Sequence, residues 1–132
     1  MPELARLVSW VERRLTEQLA CVLAQEGVTV EQWRTLALLA DGAGHTMSEI
    51  AEFAVVPAAS LTRLIDRMAA DNLLYRRPDV LDRRRVRVRI SRRGHAVHRK
   101  LAKRLECEVA TADPDDLAGL LATLTRLIER LG

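Results

Sequence analysis

Arginine is concentrated in residues 63–104, which hold 13 Arg and 2 Lys against 4 Asp. The rest of the 132-residue chain holds 6 Arg against 14 Asp and Glu, so the net charge of +3 conceals a steep asymmetry. The arginine guanidinium is a planar fork of donors that matches phosphate and guanine acceptors. The asymmetry therefore predicts a polyanion-binding face on an acidic body, in preference to solvated helix faces, which normally mix both signs.

The three histidines offer metal or acid–base chemistry, but their surroundings do not support it. His95 and His98 lie at i, i+3 of a predicted helix, where two imidazoles can share a zinc ion, and His45 lies in a loop. Neither a cysteine nor an acidic pair is spaced as a co-ligand. The sequence also contains no nucleophile motif around a histidine and no Gly-rich phosphate loop. We therefore predict no metal site, no cofactor and no enzymatic activity.

The two cysteines are too few and too far apart for a disulfide framework or a CxxC site, which favours a reducing cytoplasm. Cys21 has apolar neighbours, which predicts a packed thiol rather than an exposed redox sensor. Cys107, between two glutamates, is the weaker sensor candidate. No apolar run approaches the roughly 18 residues of a membrane span, and no secretory signal is visible at the N-terminus.

The composition is that of a single folded domain covering residues 1–132, with 48% hydrophobic and 30% charged residues. Aromatic residues make up only 3%, which argues against a stacking platform for single-stranded nucleic acid. Trp10 and Trp33 are candidates for lining a ligand cavity between the terminal helices and the rest of the domain, although core packing is the preferred interpretation of Trp33.

The hydrophobic period predicts four helices, two strands and two further helices. Capping boxes at 29–32 (TVEQ) and 46–49 (TMSE) open the second and third helices, and Pro57 suits the first turn of the fourth. The period then changes from 3.6 to 2, and Val86, Val88 and Ile90 share one strand face. The predicted elements are helices at 3–25, 30–41, a short one ending at 53, and 57–71, strands at 73–77 and 85–90, and helices at 92–111 and 114–131.

This order predicts a mainly α fold with a small β-hairpin wing. The third and fourth helices are joined by only a few residues, as in a helix-turn-helix, and the hairpin that follows makes it the winged variant. Such an arrangement places the fourth helix in a major groove of double-stranded DNA and the arginine-tipped hairpin over the adjacent minor groove.

Three segments carry a resemblance to a known family: residues 28–36 (VTVEQWRTL), 60–68 (SLTRLIDRM) and 82–94 (DRRRVRVRISRRG). They resemble the winged-helix regulators of the MarR (multiple antibiotic resistance regulator) family, and the resemblance extends over about residues 10–132. It implies a DNA-binding winged helix at 28–94 and dimerisation helices at 1–27 and 92–132. It also implies a homodimer that binds a pseudo-palindromic operator, usually represses, and is released by small phenolic or other ligands or by cysteine oxidation.

The resemblance also implies roles for single residues. The positions that would face the major groove are Ala58, Ala59, Ser60, Thr62 and Arg63. Arg84 would enter the minor groove, held by Asp82. Asn72 replaces the usual Gly after the fourth helix, and Asn tolerates the left-handed conformation. Ser91 replaces the usual Thr and keeps the hydroxyl that caps the next helix.

The residues themselves favour these roles but leave alternatives open. Arg84, between two strands, is either a minor-groove probe or a solvated hairpin charge. Asp82 either holds an arginine or only forms a turn. Ser48 either binds a phosphate at a helix N-terminus or is inert. The remaining candidates for DNA contact are Arg67, Arg76, Arg83 and Arg85, with Arg76 either a phosphate contact or a plain surface charge.

These observations together predict a sequence-specific regulator of transcription, a homodimeric and ligand-responsive repressor that binds double-stranded DNA and no membrane. Two alternatives stay open at this stage. One is a non-specific, nucleoid-type DNA-binding protein, and the other is a protein-interaction module whose basic wing docks an acidic partner. The residues specify neither the small-molecule inducer nor the operator.

Overall fold

The computed structural model describes residues 2–108 and 113–132. Within them the chain forms six helices and three strands in the order α1 (Pro2–Ala24), α2 (Val30–Leu39), β1 (His45–Thr46), α3 (Met47–Ala54), α4 (Ala58–Ala70), β2 (Leu74–Pro78), β3 (Val86–Ile90), α5 (Arg92–Glu108) and α6 (Pro114–Leu131). This order confirms the predicted winged helix-turn-helix. The short strand β1 was not predicted, and the predicted end of α5 at 111 lies outside the described residues.

Local hydrogen bonds explain where the helices of the winged region begin. The Thr29 hydroxyl accepts from the Gln32 N–H and the Gln32 side chain accepts from the Thr29 N–H, both at 3.1 Å, which confirms the first capping box. At α3 the Thr46 hydroxyl accepts from the Glu49 N–H at 3.3 Å, but the Glu49 carboxylate contacts His45 instead of completing the box. Pro57 precedes α4 as its cap residue rather than standing inside the first turn.

The three strands form an antiparallel sheet with β3 in the centre, in the order β1–β3–β2. In the β2–β3 hairpin Leu74 is opposite Ile90, and Pro78 is opposite Val86 at the distal end. Val88 and Ile90 are buried, whereas Val86 is exposed. The predicted alternation of β3 is therefore confirmed, with its distal residue outside the core.

The core has two parts. The larger part packs α2, α3 and α4 against the sheet through residues such as Leu36, Ile50, Ile65 and Val88. The smaller part joins the end of α1, the start of α2 and α5 through four buried residues, Leu23, Val28, Val30 and Leu101. Helix α6 buries no residue of its own protomer, and α1 buries only residues of its last turns. Among the described residues, no helix has the length and apolar character needed to cross a bilayer.

The base of the wing is locked to α5 through a tight turn. Asn72 has φ = 59°, which confirms the predicted left-handed residue after α4. The Ser91 hydroxyl accepts from the Gly94 N–H at 2.9 Å, as predicted for a cap, and donates to the Asn72 carbonyl. Gly94 ends the segment that carries the family resemblance, but its packing role was not predicted: a Cβ there would lie 2.0 Å from the Leu73 carbonyl oxygen. Only glycine allows α5 to approach this turn so closely.

Candidate nucleic-acid interface

Helix α4 presents one face to the core and the opposite face to solvent. Leu61, Ile65 and Met68 are buried against α3 and the sheet, as expected from their 3-4 spacing. The turn that joins α3 to α4 passes through Val55 in the left-handed conformation, with φ = 57°. All residues of α4 that were predicted to face the major groove are exposed, namely Ala58, Ala59, Ser60, Thr62 and Arg63, and Arg67 is exposed with them.

Two clefts flank this exposed face. Towards α3, Ser48 lines an open cleft together with Ala58 and Thr62, so the structure brings these three predicted residues together. Towards the N-terminus of α2, Ser60, Arg63 and Arg67 line a second cleft, which also contains Glu31. On the α2 side the face of α4 is therefore polar, with Arg63 and Arg67 lying near Glu31 and Asp71.

An ion pair joins α4 to the wing. Asp66 lies on the exposed face of α4, one turn after Thr62 and Arg63, and its carboxylate pairs with the guanidinium of Arg76 in β2. Arg76 was predicted as a DNA contact, and the structure shows that its charge is already shared with Asp66. The side of α4 that carries Arg63 is consequently continuous with the side of strand β2 that carries Arg76.

The wing loop, residues 79–85, is held by hydrogen bonds within itself. The Asp79 N–H donates to the Arg85 carbonyl at 2.9 Å, and the Arg85 N–H donates to the Asp82 carbonyl at 3.0 Å. The Asp79 carboxylate accepts from the Leu81 N–H and from Arg87 Nε, each at 3.0 Å. These two donors, the Leu81 amide first, lower the pKa of Asp79 below its usual value. Asp79, which the sequence analysis missed, is thus the anchor of the loop.

Asp82 has a different role from the one expected. Its carboxylate accepts from the backbone N–H of Arg84 at 3.0 Å. No ion pair between Asp82 and an arginine side chain exists within residues 2–108 and 113–132. This corrects the expectation that Asp82 holds an arginine side chain and supports the turn-forming alternative. The side chains of Arg83, Arg84 and Arg85 all remain exposed around this turn.

The outer face of the sheet holds two further arginines in place. Arg87 and Arg89 of β3 donate to the carbonyls of Gly44 and Gly42, at 3.2 and 2.9 Å. These bonds tie the loop before β1 to the central strand. The alternation that buries Val88 therefore places Arg87 and Arg89 on the opposite face, where they stabilise the loop as well as adding positive charge.

The remaining candidates fall outside this interface. Trp33 is half-buried in the smaller core and stacks on His98, with ring centroids 5.0 Å apart, which confirms core packing. Trp10 is exposed on α1 and lines a cavity with Arg6, Ser9 and Arg13, all of the same helix. Cys21 is exposed in the protomer, which corrects the expected packed thiol. No group of three or more potential metal ligands occurs among the described residues.

Comparison with known proteins places this interface in context. Residues 26–85 match the MarR family. The chain is 24% identical over 108 residues to the homoprotocatechuate degradative operon repressor of Escherichia coli, covering 82% of this chain and 73% of that protein. The structure is similar to AbsC, a MarR family transcriptional regulator from Streptomyces coelicolor, with a TM-score of 0.81, 28% identity and coverage of 96% and 90% of the two chains. It is also similar in fold to a mutant of MarR from Escherichia coli complexed with operator DNA, with a TM-score of 0.78, 23% identity and coverage of 95% and 93%.

Proposed function

We propose that this chain is a MarR-type regulator, on the match of residues 26–85 to that family and the similarity to a curated repressor and to AbsC, and that it is a repressor that binds a specific double-stranded operator as a homodimer. Such a protein acts on chromosomal DNA in the cytoplasm and catalyses no reaction. The proposed DNA-binding unit is residues 28–94, flanked by the dimerisation helices.

The observation that carries this proposal is the continuity between α4 and the wing. Thr62 and Arg63 lie on the face of α4 that the Asp66–Arg76 ion pair connects to β2. From its base to Pro78 the hairpin rises through four residue steps, roughly 13 Å at about 3.3 Å per step. Adjacent major and minor grooves of B-DNA are roughly 17 Å apart, half of the 34 Å repeat. One protomer can therefore fill a major groove with α4 while its wing loop reaches the next minor groove.

The division of labour follows from side-chain chemistry. Ala58 and Ala59 are small enough to let the start of α4 approach base edges, and Arg63 has the geometry for a guanine. Arg84 would enter the minor groove, where a narrow A·T-rich segment has an enhanced negative potential. The remaining predicted residues would contact the phosphates and set the register, namely Ser48, Arg67, Arg83 and Arg85.

Dimerisation is proposed from the terminal helices. Helix α6 is 18 residues long and has no fully buried residue in its own protomer, while its Leu117, Leu121 and Ile128 are exposed at helical spacing. Helix α1 exposes a comparable stripe that includes Leu4, Val11 and Leu15. Pairing these stripes about a two-fold axis would remove both from water and place two α4 helices about one DNA turn apart. We also propose that binding of a small molecule releases the protein from its operator, since the homoprotocatechuate repressor to which it is similar is named for a degradative operon.

The test is selection of bound sequences from a pool of random DNA duplexes by the full-length protein. An enriched inverted repeat with half-sites about one helical turn apart supports the proposal. Binding without enrichment at matched salt would instead assign the protein to the non-specific, nucleoid type. Absence of any duplex binding would leave the protein-interaction alternative, and enrichment of a single half-site would contradict the homodimer.

A further inference from the structure

The wing loop exposes two apolar side chains that the proposed function does not use. Val80 is 92% exposed and Leu81 is 96% exposed, more than any other large apolar side chain in the described part of the chain. Burial of such side chains is favourable by about 25 cal/mol for each Å² removed from water. Two adjacent, fully exposed branched residues at the end of a hairpin are therefore available to an apolar contact outside the protomer.

The backbone beneath these side chains is fixed. The Leu81 N–H donates to Asp79, whose carboxylate also accepts from Arg87 of β3. The loop is closed by the hydrogen bond from the Asp79 N–H to the Arg85 carbonyl. A loop ordered in this way loses little conformational entropy when it binds, so that an apolar contact made by its tip is not cancelled by the cost of ordering the chain.

We propose that Val80 and Leu81 form an apolar prong that packs against the deoxyribose walls of the minor groove entered by the wing. The prong rests on the proposed function and deepens it, since it adds a contact to the same DNA-binding surface. The walls of a minor groove are lined by sugar C–H groups, and proteins that bind there commonly insert aliphatic side chains. The arginines of the same loop supply the charge attraction to the phosphates on either side.

The charge around the prong and its position next to α4 favour DNA as its partner over an apolar surface such as a bilayer. Arg83, Arg84 and Arg85 follow the prong after one residue, Asp82, and none of the three forms an ion pair with an acidic side chain within the described ranges. The prong also extends from the hairpin whose strand β2 is joined to α4 by the Asp66–Arg76 ion pair. A surface that contacts the prong therefore also lies close to α4, as a duplex would and as a flat bilayer would not.

The test compares near-isosteric variants of the full-length homodimer on its selected operator. The double variant Val80→Thr/Leu81→Asn makes the prong polar while keeping its size, and Leu81→Met keeps it apolar. Fluorescence anisotropy across a series of KCl concentrations gives the dissociation constant and its salt dependence. We expect roughly tenfold weaker binding for the double variant and less than about twofold change for Leu81→Met. The salt dependence of both should equal that of the wild type, because neither removes a phosphate contact.

Hydroxyl-radical footprinting locates the contact, since the radical abstracts deoxyribose hydrogens at the minor groove. The wild type should protect the minor groove outside each half-site, and the double variant should lose that protection. Unchanged affinity and footprint for the double variant would overturn the prong while leaving operator recognition intact. A double variant that binds the operator as the wild type does but no longer binds anionic phospholipid vesicles would assign the prong to a membrane. That result would also overturn the minor-groove contact.

The prong and the proposed function fail in distinguishable ways. If the wild type shows no preference for any operator, sequence-specific repression is contradicted. The affinities of the wild type and the variants are then compared on a random duplex of equal length. The same tenfold loss is expected there, because sugar walls are present in every sequence. A changed salt dependence in the double variant would show that the substitutions displace the arginines, which would overturn the apolar account.

Discussion

Arg84 occupies the centre of the arginine cluster in the wing loop, and its backbone N–H is held by the Asp82 carboxylate. If its side chain neutralises a phosphate or occupies a minor groove, Arg84→Ala should weaken operator binding and lower the slope of log K against log salt by about 0.9. Dimer mass, measured by sedimentation, should not change. Arg130→Ala on α6 removes the same charge far from the loop and serves as the control. An unchanged affinity and slope for Arg84→Ala would refute the minor-groove role.

Gly94 shows how one side chain limits the packing of two elements. Because a Cβ at this position would lie 2.0 Å from the Leu73 carbonyl oxygen, Gly94→Ala must displace α5 from the base of the wing. We expect a loss of about 1–3 kcal/mol in the free energy of unfolding, measured by urea denaturation. The control is Gly119→Ala on α6, where a Cβ meets no atom within 4 Å and helix propensity predicts a gain of about 1 kcal/mol. Equal stability changes for the two variants would contradict this account.

The residues that could be predicted from the sequence are those whose role is local. Ser91 caps a helix through a hydroxyl three residues from its donor, and Asn72 tolerates a left-handed turn, so both follow from neighbours in the chain. Gly94 and Asp79 depend on atoms that only the folded chain brings near, the Leu73 carbonyl and the Arg87 guanidinium. Asp82 is the exception, because its partner is local: charge pairing favoured an arginine side chain, but the carboxylate accepts from the backbone N–H of Arg84, two residues along the chain.

At the scale of elements, the Asp66–Arg76 ion pair decides how much of the charge of β2 is available to DNA. Asp66→Asn removes a negative charge from the exposed face of α4 and frees the Arg76 guanidinium. We expect tighter binding to any duplex and a salt slope steeper by up to about 0.9, which is one additional phosphate contact. Stability should change by less than about 1 kcal/mol, since the pair is largely exposed.

The control for this prediction is Asp71→Asn, which removes the same charge from the residue that ends α4. It should raise affinity only through the general decrease in negative charge, without a comparable change in slope. If Asp66→Asn gives wild-type affinity and slope, Arg76 does not reach a phosphate and its role is confined to joining α4 to the wing.

His45 in β1 links α3 to the turn that follows α2 and makes the stability of the winged region depend on pH. It lies between Asp41 and Glu49, with ring nitrogens 2.7 and 2.6 Å from the carboxylates. Partial burial opposes protonation, but the bonds to Glu49 and Asp41 outweigh it and raise the pKa of His45 above its usual value. The stabilisation is therefore complete below pH 6.5 and is lost as the pH rises through the higher pKa of the folded state.

The expected result is that the free energy of unfolding falls between pH 6 and pH 8.5 by more in the wild type than in His45→Gln. Urea denaturation at several pH values measures both. The comparison isolates His45, because burial lowers the pKa of His98 and gives that residue the opposite pH dependence. Parallel pH profiles for the two proteins would show that the carboxylates do not stabilise the charged imidazole.

Element types and order were predictable because each helix repeats its apolar spacing over several turns. The ends were less predictable: α2 stops at Leu39, two residues earlier than expected, and α4 begins after Pro57. Strand β1 has only two residues, too few to establish any period, and it exists because β3 offers it an edge. Strand β1 can therefore be recognised only once its pairing with β3 is known, and not from a longer stretch of sequence.

At the scale of the whole molecule, the charge asymmetry and the apolar terminal helices were both readable in the sequence, since each is a sum over many residues. The structure agrees with the expectation that the last helix is a dimerisation helix, since α6 has no buried residue in its own protomer. Most of the stability of a helix in a folded protein comes from packing its apolar face against another surface. We therefore expect the 18-residue helix α6 to be stabilised by a surface outside the protomer, and the apolar stripe of α1 has the matching character.

This dependence gives a prediction for assembly. Leu121→Glu places a charge in the centre of the α6 stripe, where burial without a partner costs several kcal/mol. We expect sedimentation to show a monomer and operator affinity to fall by more than tenfold, because two half-sites can no longer be bound together. Far-ultraviolet circular dichroism should show a loss of helix limited to the terminal helices, since both cores lie within one protomer.

Thr123→Glu is the matched control, because it adds the same charge to α6 two residues further on, away from the stripe of Leu117, Leu121 and Ile128. It should remain dimeric and bind the operator as the wild type does. A Leu121→Glu protein that stays dimeric would show that α6 is covered by something other than a second copy. A Leu121→Glu monomer with full operator affinity would separate DNA recognition from the two-fold axis, since one α4 and one wing would then be sufficient.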